Sequence, residues 1–84
     1  MYRIMLADDE GIVIDSLKFI IEKEFGDLCE IQYAKTGRSV IELAESFRPD
    51  IAVMDIQMPG INGIDAMKEI KKSNSSTVFI VMSA

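Results

Sequence analysis

The chain has no histidine, no tryptophan, a single cysteine, two prolines and no apolar run longer than Val78 to Met82. Each shortage removes a class of chemistry. Without histidine, the usual general base and the commonest zinc ligand are gone. Cys29 alone can form neither an internal disulfide nor a thiolate metal cage, so any reaction must be run by carboxylates, hydroxyls or lysines. A membrane helix needs roughly 20 consecutive apolar residues, and nothing of that length occurs. The N-terminus offers only Ile4 to Ala7 before three acids, which is neither the apolar length nor the cleavage pattern of a secretory signal. The expected location is therefore cytoplasmic, with no membrane as partner. Positive charge is scarce as well: nine Lys and Arg stand against fourteen Asp and Glu, for a net charge of -5. That balance repels phosphate backbones and suits cations, so this segment is not expected to bind nucleic acid.

What is present describes a small globular unit. With 84 residues, 49% of them hydrophobic and 27% charged, the composition fits one domain with a packed core and a thin stability margin. The runs Tyr2 to Ala7, Ile51 to Met54 and Val78 to Met82 read as buried strands, each closed by a polar residue. Cys29, Ile31 and Tyr33 alternate with Glu30 and Gln32, which places that strand at a sheet edge. Three stretches of helical period lie between the strands. The first carries Ile14, Leu17, Ile21 and Phe25, broadened by Val13 and Ile20, with Gly26 as its stop. The second runs from about Thr36 to Phe47, and Pro49 ends it. The third begins near an Asn62 cap and carries Ile64, Met67 and Ile70, with Lys68, Lys71 and Lys72 toward its C-terminal end. Strict alternation of strand and helix predicts an open, doubly wound parallel α/β sheet with helices on both faces.

In such a sheet, ligands bind beyond the carboxyl ends of the strands, where the winding direction reverses. Asp8, Asp9 and Glu10 follow the first strand directly, and Asp55 follows the third. If those strands are neighbours, at least three carboxylates converge, at an electrostatic cost that a divalent cation removes. Oxygen ligands without histidine or thiolate favour magnesium or manganese. Alone, Asp8 to Glu10 would read as a solvated acidic turn capping a helix, and Pro59-Gly60 as ordinary turn punctuation. Asp55 at a matching strand end favours the joint reading.

Taken together, the acid pair after strand one, Asp55 with the following Met58-Pro59-Gly60 and Gly63, and the hydroxyl of Ser83 after strand four resemble the receiver domain of two-component response regulators, in order and spacing over all 84 residues. The resemblance implies a flavodoxin-like sheet of strand order 2-1-3-4. It implies that Asp55 accepts a phosphoryl group from a sensor histidine kinase and slowly loses it by hydrolysis, making the chain a phosphoacceptor and not an enzyme of the usual kind. By the same resemblance Asp8 and Asp9 hold Mg2+, the backbone carbonyl of Gln57 is a further ligand, and Ser83 is the switch hydroxyl. Ser83 read alone is a strand-end serine satisfied by backbone, and the lysines read as exposed charges.

The resemblance also implies a fifth strand and two more helices, so residues 1–84 are expected to be the N-terminal portion of a single receiver domain. A lysine expected after the fifth strand would lie outside the chain, and labelling of Asp55 in this chain is expected at reduced yield. Val78 to Met82 is then an apolar edge and a template for self-association. In the parent protein, the expected output is a DNA-binding domain regulating transcription. The alternative is a receiver-like module, inert in phosphotransfer, that acts only by assembly. A haloacid-dehalogenase-type phosphatase needs an acid where Gln57 stands, and a nucleotide site needs more glycine than Asp8-Asp9-Glu10-Gly11 supplies.

Overall fold

A computed structural model describes residues 1–82 of the chain. The elements run β1 (Tyr2–Ala7), α1 (Gly11–Phe25), a 3-10 turn (Gly26–Leu28), β2 (Cys29–Ala34), α2 (Gly37–Phe47), β3 (Ile51–Asp55), α3 (Gly63–Ser73) and β4 (Val78–Met82). The four described strands are all parallel, as their alternation with helices predicts, in the order β2-β1-β3-β4 that the resemblance implies. The chain steps outward from β1 to β2 and then returns across β1 to β3, so the winding reverses between β1 and β3.

The period of two along a strand divides the core into two layers. Met5, Ala7, Ala52 and Met54 point to one face, where Val40, Ala44 and Phe47 of α2 and Ala66 and Ile70 of α3 close over them. Ile4, Leu6 and Val53 point to the other, where Ile14 of α1 is fully enclosed and Leu17 and Ile21 pack alongside. One helix serves the second face and two serve the first.

The helix ends follow their capping chemistry. Thr36 caps α2: its Oγ1 accepts from the Ser39 amide at 3.2 Å, and the Ser39 hydroxyl in turn accepts from the Thr36 amide at 3.1 Å. Asn62 caps α3 by accepting from the Ile64 amide at 2.7 Å. The last turn of α2 is ended by Arg48 in a left-handed conformation, one residue before Pro49. At the N-terminal edge of the sheet, Asp50 ties two strands to β3. Its amide donates to Arg3 O at 2.8 Å, its carboxylate accepts from the Arg3 amide at 2.8 Å, and its carbonyl accepts from the Val78 amide at 2.9 Å. Beside it the Pro49 carbonyl accepts from the buried Thr77 hydroxyl at 2.8 Å and from Asn74 Nδ2 at 3.3 Å.

Several apolar side chains expected in the core lie outside it. Ile20, placed on the stripe of α1, is 56% exposed, and Phe25 lies in the last turn of α1 against a small apolar hollow with Tyr2 and Leu28. Ile64 and Tyr33 are exposed too. In α3 the buried positions are Gly63, Ala66 and Ile70, spaced three and four apart along one face, which leaves Ile64 outside the interface. Among the described residues β4 is an edge strand with Val78, Ile80 and Val81 exposed, the apolar edge expected of Val78 to Met82 in this chain.

These positions set a contrast in stability. Replacing fully buried Ile70 by Ala is expected to cost about 2–5 kcal/mol, a large part of what so small a domain has. Ile20→Ala is expected to change stability by no more than about 0.5 kcal/mol, because Ile20 leaves no cavity behind. Urea unfolding of both variants measures the difference.

Candidate functional site

Pairing of β1 with β3 in the register Ala7↔Met54 sets the next residue of each strand side by side. Those residues are Asp8 and Asp55. With Asp9 they form a cluster whose carboxylate oxygens all lie within 4.8 Å of one another. The strands therefore bring together the three acids that the sequence singles out, at the point where the winding reverses. Asp8 is nearly buried, Asp55 half-buried and Asp9 exposed.

Backbone amides orient two of the three. The Glu10 amide donates to Asp8 Oδ1 at 2.9 Å, and the Gln57 amide donates to Asp55 Oδ1 at 3.0 Å. Each acid thereby closes a short turn onto the residue two positions on, which leaves its other oxygen free of that bond. Asp9, Glu10, Asp55, Gln57, Met58 and Pro59 line a cleft of about 400 Å³ that opens to solvent.

Electrostatics make the arrangement costly when it is empty of cations. Burial pushes the Asp8 carboxyl above its ordinary value, and the neighbouring charges of Asp55 and Asp9 push it further, against the opposing Glu10 amide. A divalent cation reverses each of those penalties at once. The donor set fits one: oxygen only, partly buried and partly open, as a hard ion that keeps some of its water requires.

The remaining site expectations divide. Gln57 is at the rim of the cleft with its amide committed to Asp55, next to the carbonyl that the resemblance assigns to metal. Ser83 lies outside the described residues. The sequence reading missed the role of two glycines. A β-carbon at Gly63 would lie 2.6 Å from the Asp55 carbonyl oxygen and 2.8 Å from Ile56 Cα, so only glycine lets α3 start this close to the end of β3. At Gly37 a β-carbon would lie 1.4 Å from Ile61 Cγ2. The signal for both is weak in sequence, since a glycine beside a helix start reads as turn punctuation.

Known proteins resemble this chain along nearly its whole length. The family model for the response regulator receiver domain matches residues 4–84. The chemotaxis protein CheY of Thermotoga maritima is 40% identical over 82 residues, which is 98% of this chain and 67% of that protein. The uncharacterized transcriptional regulatory protein YesN of Bacillus subtilis is 37% identical over 83 residues, 99% of this chain and only 23% of that protein. The crystal structure of the response regulator domain of Thermotoga maritima CheB is similar with a TM-score of 0.87 at 34% identity, covering 99% of this chain and 60% of that one.

The repulsion within the cluster carries a measurable sign. Because the folded Asp8 carboxyl is raised, its ionised form opposes folding at neutral pH, and that penalty disappears as pH falls through the raised value toward the ordinary one. In the presence of a chelator, Asp8→Asn is expected to raise Tm at pH 7, because it removes an ionised carboxyl that burial and the charges of Asp55 and Asp9 disfavour. Asparagine keeps the oxygen that accepts from Glu10, so the turn survives the change. Thermal melts at pH 7 and pH 5 check both parts: the gap between wild type and variant should narrow at the lower pH.

Proposed function

The chain belongs to the response regulator receiver family, and from that premise we propose that Asp55 accepts a phosphoryl group from a phosphohistidine of a sensor histidine kinase, with Mg2+ (or Mn2+) held by Asp8, Asp9, Asp55 and the Gln57 carbonyl. One observation carries the reading: three carboxylates within 4.8 Å at the end of β1 and β3, an arrangement that destabilises the metal-free chain. In the transfer, an Asp55 carboxylate oxygen forms a bond to phosphorus in line with the departing imidazole nitrogen. The P–N bond breaks and its electron pair leaves with the imidazole. A cation held by Asp8, Asp9, Asp55 and the Gln57 carbonyl would supply neutralisation of charge on the phosphoryl oxygens. The Gln57 amide holds the Asp55 oxygen it binds, which leaves the other to attack, and the open cleft admits the donor. Ser83, outside the described residues, is the switch hydroxyl of this reading, and water later hydrolyses the acyl phosphate slowly. The chain is thus a switch in the cytoplasm that serves an output domain elsewhere in its parent. YesN is a transcriptional regulatory protein, which favours DNA binding as that output.

A second reading rests on β4. Its exposed Val78, Ile80 and Val81 and its open backbone edge offer a strand template to a second copy of the chain, an assembly role that does not need phosphotransfer.

Intact-mass measurement after treatment with a small phosphodonor and Mg2+ tests the first reading. One phosphoryl group is expected on Asp55 and none in Asp55→Asn. Asp8→Asn is expected to slow labelling by more than roughly tenfold, since each ~1.4 kcal/mol of lost transition-state stabilisation is a factor of ten. Titration calorimetry should show Mg2+ heats in the wild type that vanish in Asp55→Asn; label on any other residue, or equal heats in both proteins, removes the assignment. For the second reading, sedimentation at micromolar concentration should show a dimer that Ile80→Lys dissociates, and a wild-type monomer would end it.

A further inference from the structure

The loop of residues 56–62 carries Gln57 from Asp55 to α3, and its two ends are closed on each other. The Gly63 amide donates to Ile56 O at 2.8 Å, and Gln57 and Asn62 form an isolated antiparallel bridge. Beyond that neck, Met58 is buried in the core layer under α2 and α3. The tip, Pro59-Gly60-Ile61, crosses to the first turn of α2 and is held there twice. The Gly37 amide donates to Pro59 O at 3.2 Å, and the Ile61 side chain fills the space where a β-carbon of residue 37 would be, with Ile61 N only 3.0 Å away.

The presence of glycine at residue 37 needs an explanation of its own. Gly37 is the first residue of α2, and glycine has a low intrinsic helix propensity. Its φ is not positive, so the backbone does not demand glycine. Space does. Ile61 is the neighbour that excludes a side chain there, so the residue type at 37 is set by a contact with the loop that leads to the acidic cluster.

We propose that Gly37 and Ile61 are positioning residues for the Asp55 site: their contact fixes the seat of loop 56–62 on α2, and with it the placement of Gln57. The Gln57 amide holds Asp55, and its carbonyl is a metal ligand under the functional reading above, on which this part of the inference rests. A side chain at 37 lifts the tip off α2. Trimming Ile61 leaves the tip unsupported. Either change reaches Asp55 through the strand end, although neither residue touches the carboxylates.

The test uses the 84-residue chain and two readouts taken at equal folded fraction: the amide resonance of Gln57 without metal, and Mn2+ affinity by electron paramagnetic resonance of the free ion. Gly37→Ala and Ile61→Ala should both shift the Gln57 amide and weaken Mn2+ roughly tenfold, the scale on which outer-shell supports act on a metal site. Ile61→Val keeps the branched β-carbon and should leave both readouts at wild-type values. Leu17→Ala, under α1 on the opposite face, should lower Tm and move neither. A wild-type Gln57 amide and wild-type Mn2+ affinity in Ile61→Ala overturn the proposal, as does an equal effect from Leu17→Ala. If Gly37→Ala fails to fold, Ile61→Ala decides alone, because it only removes atoms. Absence of Mn2+ binding in the wild type sinks the functional reading, while the Gln57 amide still decides the positioning.

Discussion

The register of β1 against β3 is the constraint on which the site depends. Ala7 opposite Met54 leaves Asp8 and Asp55 no choice but to meet, and backbone hydrogen bonds along both strands prevent either from moving away. A slip of one residue would turn every side chain of one strand to the other face, exchanging Met5 and Ala7 for Ile4 and Leu6 beneath α2. The buried layers on both faces thus enforce the electrostatic conflict at the strand ends. Core packing is what holds like charges together.

That conflict gives the site its character. A small domain has little stability to spare, and this one keeps a nearly buried acid beside two others. Fixed carboxylates facing an open cleft can discharge their repulsion onto a cation, so the folding penalty of the empty site becomes a driving force for occupancy. The amides of Glu10 and Gln57 supply orientation without adding charge. Rigid strand ends provide the acids, and a loop supplies the rim.

How much of this is legible in the sequence follows from what each signal measures. Apolar runs that end in acids located β1 and β3 and the three carboxylates, because burial on both faces leaves an unmistakable composition. The cap at Asn62 was legible for a local reason: its partner lies two residues on. Contacts distant in sequence were not. Gly37 and Ile61 are neighbours only after α2 and the loop pack, and no pattern in either segment marks the other. Periodicity also overstated burial. Ile20 and Ile64 follow apolar spacing, yet each helix presents only the side that its neighbours cover, and among the described residues α1 alone lies on its face of the sheet.

The two poles of the sheet are built on opposite terms. At the N-terminal edge, Asp50 bonds to both flanking strands and the Pro49 carbonyl accepts two side chains, so donors there meet acceptors. At the other edge, acids face acids. The strands are therefore fastened by opposite polarity at one pole and loaded with like charge at the other, so the pairing at residues 49–50 and the repulsion among the acids act at opposite ends of the same strands.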